Sequence, residues 1–397
     1  MEIRKLKPEE NIHRILMSSI CFSRHMQNED RLAWLEKPEE HTGNYENAWG
    51  AFDNNNKLVS AMVVDPAKVM INGKAVKAGL IAAVTTLPEA RNAGGVRMMF
   101  DAVIPHMKNE GMVFSILYPF SFEYYRKFGY EHNYVKTRIN FPISELSHYP
   151  YPKGMKSHDK NDSWEDMAYV YNIFSKDKNM AMVRSKNEWD KILRGDPHKS
   201  KEFAYIHMTN DKPDSYVLYK AETKDNKGLL NIKELTWTST DGLRSILGFI
   251  YGMRSEYDEV SWALPTGIDV FSIVSNPCSI ILSYDSIIMT RVVDVQAALN
   301  LIVAPSKKGS VVLGIKDKFM KENSNSYLVS WDENKLKTEI TNYDADMELD
   351  IETLVQLSTG YTTIEQTLYR LDVCVHNKMD ELTALFPKKN QYMMESF

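Results

Sequence analysis

The stretch LIAAVTTLPEARNAGGVRMMF (Leu80–Phe100) limits what this chain can fold into more than any other. An apolar, β-rich run ends near Thr86. A polar loop follows, and apolar residues resume at helical spacing just after Gly94 and Gly95. The pattern predicts strand, tight loop and helix. The first amides of a helix have no partner within it and carry about half a positive charge. Glycines let a ligand approach that backbone closely, and Arg91 adds a permanent cation. These are the parts of a pyrophosphate cradle. The spacing Arg91-x-x-Gly94-x-Val96 lacks the Lys-Ser/Thr pair of a Walker loop and the three glycines of a dinucleotide turn. An ordinary strand-to-helix turn is the alternative reading.

With 397 residues the chain is too long for one ordinary domain. Residues 147–163, SHYPYPKGMKSHDKNDS, read as a linker. Near residue 290, SIIMTRVVDVQAALNLI turns from strand-like to helix-like, which suggests a second boundary. The expected domains are 1–150, 151–288 and 289–397. The first reads as mixed α/β, with Pro105 kinking or shortening the helix that ends at Gly111. The segment NIKELTWTSTDGLRSILGFIYGMRSEYDEVSWALP repeats the strand–helix–strand plan without an RNAGG turn, so the middle domain reads as a degenerate duplicate. The last segment reads as a small α+β domain. Its strands are GSVVLGIKD, SYLVSWDE and TEITNYD, and its helices DIETLVQLSTGY and IEQTLYRLDVCV.

A net charge of −5 gives no broad attraction to nucleic acid. The three cysteines, Cys21, Cys278 and Cys374, are odd in number and far apart. That argues against a disulfide framework and against a zinc site, so they read as core residues and no metal is expected. No apolar run reaches the ~20 residues of a membrane span, and the N-terminus has no signal-peptide core. These features together lead us to expect a cytoplasmic protein.

About 30 residues beyond the cradle, LYPFSFEYYRKFGYE follows an apolar strand. The pair RNAGGVR and PFSFEYYRKFGYE resembles the Eis-like (enhanced intracellular survival) acetyltransferases of the GNAT family. The GNAT cradle reads R/Q-x-x-G-x-G/A. Val96 departs from it, but with Arg97 it matches the R-x-x-G-x-(aliphatic)-R form of the Eis-like group. RVVDVQAAL, LVQLSTGY and ALFPKKNQYMMESF extend the resemblance over nearly the whole chain. It implies two tandem GNAT domains, the second degenerate, then a sterol-carrier-protein-like α+β domain. It also implies acetyl-CoA as acetyl donor, a small-molecule amine as partner, and a homo-oligomer, a hexamer.

Direct transfer from a thioester to an amine, through a tetrahedral intermediate, needs a base, amide donors for the oxyanion and an acid for the thiolate. The resemblance places the acid at Tyr125 and the base at the C-terminal carboxylate of Phe397. Tyr124 and Tyr130 read as packing. The resemblance implies cofactor contacts at Val84, Thr85 and Thr86 on the strand, and at Arg91, Asn92, Gly94, Gly95 and Val96 in the cradle. Ser121 either caps the next helix or touches the cofactor, and capping is the stronger reading. Asp30 and Trp34, in the acidic segment Met26–Glu40, and Glu395 are expected to receive a cationic, polyamine-type acceptor such as an aminoglycoside.

Two rivals stand beside this reading. One is another tandem GNAT acyltransferase. N-myristoyltransferases lack a sterol-carrier-like third domain, and peptidoglycan aminoacyltransferases need a tRNA-binding element. The other is a lipid- or sterol-carrier-like binding protein with a vestigial acyltransferase domain.

Overall fold

The computed structural model describes residues 1–22, 45–159, 162–333 and 335–395. Asp30, Trp34 and Phe397 therefore lie outside the described residues.

The first domain runs β1 (Glu2–Lys5), α1 (Asn11–Cys21), β2 (Ala48–Phe52), β3 (Leu58–Ile71), β4 (Lys74–Thr86), α2 (Gly95–Asn109), β5 (Phe114–Leu117), α3 (Phe122–Arg126) and β6 (Glu131–Pro142). The second runs β7 (Met155–Ser157), α4 (Glu165–Ser175), α5 (Lys186–Ile192), β8 (Glu202–Thr209), β9 (Lys212–Lys224), β10 (Lys227–Trp237), α6 (Thr240–Gly252), β11 (Glu259–Leu264) and β12 (Ile281–Val292). The third runs α7 (Val295–Leu299), β13 (Gly309–Lys316), β14 (Ser326–Asp332), β15 (Lys335–Thr341), β16 (Met347–Asp350), α8 (Ile351–Ser358), α9 (Ile364–Thr367), β17 (Cys374–Val375) and α10 (Met379–Leu385).

The two copies obey one plan. Antiparallel strands lead into a strand that pairs parallel with the one after the crossover helix: β4 with β5, and β10 with β11. A parallel neighbour needs such a crossover. The copies then exchange their last strands. β12 of the second copy pairs with β5 of the first, and β6 of the first pairs with β11 of the second. β6 and β12 pair with each other. One twelve-stranded sheet results, in the order β1-β2-β3-β4-β5-β12-β6-β11-β10-β9-β8-β7. The third domain has its own sheet, β15-β14-β13-β16-β17.

The third domain does not hang free. Val69, Phe114, Tyr134 and Ile288 of the large sheet share a core with Leu313, Leu349, Leu354 and Phe386. Arg291 on β12 is fully buried, donating to the Phe128 carbonyl and to Asp317 of the third domain. Removing one partner of such a pair leaves an uncompensated buried charge, at a cost of about 3–5 kcal/mol.

Several sequence expectations change. Pro105 neither kinks the chain out of helix nor ends α2, which continues to Asn109. Pro105 and Asp101 are both exposed, so the carbonyl that loses its partner faces water. The 147–163 linker contains β7, which pairs with β8. Residue 288 falls inside β12. The helix expected over IEQTLYRLDVCV shrinks to α9, and its β-branched end becomes β17. Cys278 and Cys374 are exposed and Cys21 half-buried, not core residues.

Candidate active site

The pairing of β4 with β5 ends at Ile81 and Leu117, while β4 runs on to Thr86. The last residues of β4 therefore keep one backbone edge free of β5. A bulge marks the divergence: Ala61 faces Thr85, but Val63 faces Ala82. Ala83 sits in the bulge at φ +49°. A left-handed alanine costs about 1–2 kcal/mol, so its surroundings must impose it. No residue-type signal in GLIAAVTT announces this bulge.

The cradle forms as the glycines require. Asn92 (φ +66°) and Gly94 (φ +84°) are left-handed, and Gly94 is the N-cap of α2 without a side-chain cap. Left-handed turns of this kind aim successive amides into one concavity. Gly95 is needed for a different reason. A Cβ there would lie 2.7 Å from the Ser60 hydroxyl, which itself pairs with Thr86 at 2.9 Å.

A cavity of about 710 Å³ opens over this edge. Val84, Thr85, Thr86, Arg91, Asn92, Gly94, Gly95 and Val96, every strand and cradle residue singled out from sequence, line it. Arg97 and Lys127 join Arg91 there, and among the described residues no Asp or Glu lines it. Arg97 also lies 5.5 Å from the Phe319 ring. Open helix-start amides and three cations fit a polyanion, so the cleft suits the pyrophosphate of coenzyme A. Ser121 is the N-cap of α3, accepting from the Tyr124 amide at 3.3 Å, and is not among the lining residues.

The tyrosines separate differently from the sequence reading. Tyr124, expected as packing, lines the cavity beside Phe120. Tyr125 is only 2% exposed, edge-on to Phe100, Phe120 and Tyr130. Burial pushes its phenol well above the ordinary range. No hydrogen bond engages its hydroxyl among the described residues, whereas that of Tyr130 pairs with Ser115 at 2.6 Å. Tyr125 thus keeps both its proton and a free donor.

α3 is stapled from behind. Glu131 is reached by Arg126 at 2.8 and 3.0 Å, by His132 at 2.7 Å, and by Arg370 of the third domain at 3.5 Å. Burial alone would raise the Glu131 carboxyl, but the hydrogen bonds from His132 and Arg126 outweigh it and hold it at about 2.

The chain's last described segment enters the same region. Thr266, just past β11, exchanges hydrogen bonds with the amide and carbonyl of Gln391. Tyr392 donates its amide to the Asn179 carbonyl, and Lys136 on β6 reaches the Met394 carbonyl at 3.5 Å. Tyr118, immediately after β5, donates to the carbonyl of Glu395. The segment spans β11 to β5, three strand spacings or about 14 Å, which four extended residues cover. The Glu395 side chain is paired with Arg184 at 2.6 Å, so it does not stand ready for an ammonium. It borders a second cavity of about 490 Å³ with Arg184, Glu234 and Glu202.

Residues 2–133 match the family model of an acetyltransferase (GNAT) domain, and residues 180–292 match a second acetyltransferase (GNAT) model. The chain belongs to the GNAT acetyltransferases. Residues 295–394 match a sterol carrier protein domain, which completes the Eis-like arrangement. Among solved structures, this GNAT protein is similar to a GCN5-related N-acetyltransferase from Anabaena variabilis ATCC 29413 (TM-score 0.87, 20% identity, 100% of both chains). It is also similar to Eis1 from Mycobacterium abscessus (TM-score 0.82, 17% identity, 100% of both chains). A third is a probable N-acyltransferase from Enterococcus faecalis V583 (TM-score 0.80, 19% identity, 98% of this chain and 97% of that one). At these identities the likeness concerns the fold. A sequence comparison with curated proteins gave no match. The GNAT domains make the chain an acyltransferase and imply acetyl-CoA as its co-substrate.

Proposed function

We infer that the first GNAT domain transfers acetyl to amines of a cationic, polyamine-type acceptor, an aminoglycoside among the candidates. The observation that carries the acetyl-CoA half is the cavity over the open start of α2, lined by the three cations Arg91, Arg97 and Lys127. In this reading Arg91, Asn92, Gly94, Gly95 and Val96 hold the pyrophosphate, and the free edge of Val84 to Thr86 aligns the pantetheine arm. The co-substrate supplies its acetyl group as a thioester. Amides of that edge steady the oxyanion. Tyr125 donates a proton to the departing sulfur, a role for which a phenol held protonated is suited. The C-terminal carboxylate of Phe397 takes the proton of the amine.

Asp30 and Trp34 are proposed acceptor contacts, on the resemblance and the acidity of their segment. A homo-oligomer, a hexamer, and a cytoplasmic location are proposed on the same resemblance. Exposed Leu368, Tyr369 and Leu371 in the third domain and Ile281, Leu282 and Tyr284 on β12 support an interface. Among the described residues, no helix is long and apolar enough to cross a membrane. The lipid-carrier reading has less support: the cavity bounded by Leu357, Leu385 and Phe386 holds about 20 Å³, room for roughly one water, and a larger third-domain cleft of about 590 Å³ is lined mainly by polar residues such as Lys316, Asn325, Asp344 and Glu348.

The test is a panel of polyamines and aminoglycosides with acetyl-CoA, following thiol release. Turnover confined to polyamine-type acceptors is the expected result. No turnover with any amine, alongside tight lipid binding, would overturn the reading in favour of a carrier.

A further inference from the structure

One aromatic ring near the cradle comes from neither GNAT copy. Phe319 belongs to the third domain, between β13 and β14. Its ring lies 5.4 Å from that of Phe128 and nearly perpendicular to it. It also lies 5.5 Å from the Arg97 guanidinium and 5.6 Å from that of Arg291. Phe128 and Arg97 both line the cleft over α2, and Phe319 packs behind them. Its neighbour Met320 is buried in the first-domain core with Met99, Phe100 and Phe128. The third domain thus reaches the cleft from its back.

The turn that carries this ring is fixed. Asp317 is buried. One of its carboxylate oxygens accepts the amides of Phe319 and Met320 at 3.0 and 2.9 Å. The other accepts from the Asn323 side chain at 3.0 Å and from Arg291. The Asp317 amide donates to the Ser324 hydroxyl at 2.8 Å. Arg291 extends the knot to the Phe128 carbonyl. Gly129 makes that reach possible, because a Cβ there would collide with the Arg291 guanidinium. Phe319 and Phe128 are therefore tied through their backbones as well as their rings.

Arg97 is held unlike the other arginines of this junction. Arg126, Arg291 and Arg370 each pair with a carboxylate. Arg97 is exposed, and among the described residues no carboxylate pairs with it; it lies over the Phe319 ring instead. A carboxylate orders an arginine but offsets its charge. An aromatic face orders it and leaves the charge for a ligand. An arginine already ordered also loses less side-chain freedom when an anion binds.

We propose that Phe319 is a positioning residue: through this ring the third domain holds Arg97 aimed at the phosphates of coenzyme A in the first domain's cleft. The proposal rests on the reading of that cleft as the acetyl-CoA site. It gives the sterol-carrier-like domain a part in donor binding that needs no lipid.

The test uses the full-length chain, with acetyl-CoA binding followed by calorimetry and turnover by thiol release with the best acceptor of the amine panel. Phe319→Leu keeps an apolar side chain against Phe128 and removes the aromatic face. It weakens acetyl-CoA binding about 3- to 10-fold, and the loss falls on KM rather than kcat. The difference from the unaltered chain narrows between about 50 mM and about 500 mM salt, as screening weakens the contact of Arg97 with phosphate. Phe319→Tyr, which keeps the ring, retains the affinity. In an Arg97→Gln chain, adding Phe319→Leu brings no further loss, because the cation it aims is gone.

The failures are distinguishable. If the unaltered chain does not bind acetyl-CoA, the cleft reading fails and the positioning role fails with it. If acetyl-CoA binds and Phe319→Leu leaves its affinity unchanged, the cleft reading stands and the role of Phe319 is overturned. Losses that multiply in the double variant, or a deficit that salt does not narrow, make Phe319 a packing residue and also overturn it.

Discussion

The two copies of the GNAT fold differ most where a strand hands over to a helix. In the first copy eight residues separate Thr86 from Gly95, and Gly94 caps α2 without a side chain. In the second, only Thr238 and Ser239 separate Trp237 from Thr240, and the Ser239 hydroxyl accepts from the Gly242 amide at 3.1 Å. One helix start is held open for a ligand, and the other is closed by its own sequence. A second contrast lies beyond the next strand. After β5, Tyr118-Pro119 leads into α3 and its tyrosines; at the end of β11, Leu264-Pro265 leads to Thr266, which holds the tail. Where the first copy places α3, the second places the residue that holds Gln391.

Four substitutions and one control probe that contrast. The largest effect falls on the group that only the first copy has. Tyr125→Phe lowers kcat about 100- to 1,000-fold with acetyl-CoA affinity unchanged, measured by steady-state kinetics and calorimetry. Tyr124→Phe, on the cavity wall, serves as its control. A larger loss there would exchange the two roles.

Next comes the staple behind α3, which has no equivalent in the second copy, where a 3-10 turn (Val270–Ser272) follows instead. The Glu131 carboxyl is held at about 2, below its ordinary value. Its contribution is therefore present above about pH 4.5 and is lost as pH falls toward 2. Glu131→Gln destabilises by about 2–3 kcal/mol at pH 7. Thermal melts of wild type and variant should converge on acidification through that window; a difference that persists at pH 2 contradicts the ion-pair account.

Smaller still is the cradle itself. Arg91→Ala weakens acetyl-CoA binding about 10- to 30-fold, the value of one charge-assisted contact. Titration of the unaltered chain should give one acetyl-CoA per chain, and two would erase the contrast between the copies. The smallest effect belongs to the closed helix start. Ser239→Ala costs about 1 kcal/mol in stability and leaves acetyl-CoA affinity unchanged.

The cradle was legible in the sequence because its requirements are local. A left-handed Gly94, a close-packed Gly95 and a cation at Arg91 are matters of residue type within five positions. So were the duplication and its missing turn. The strand exchange was not legible, because β6 and β12 read as ordinary strands whichever neighbour they choose. The parallel FSILYP and VSWALP (residues 114–119 and 260–265) was the available signal for matching β5 to β11. The assignment of Glu395 to the acceptor also required the fold to revise it: nothing near Arg184 in sequence announces a partner 211 residues away. Tyr124 and Tyr125 are adjacent, so only the direction of a short helix decides which one meets the cavity.

The exchanged strands also bear on how this protein is made. The first copy cannot complete its sheet until β12, ending at Val292, has been synthesised. At about 5–20 residues per second, roughly 10–30 s pass after β6 emerges from the ribosome. Throughout that interval β5 and β6 present open edges, the kind of surface that pairs with a neighbouring nascent chain. The joining of the two copies in one polypeptide sets the order of their birth, and the half that carries the open cradle is obliged to wait for the half that does not.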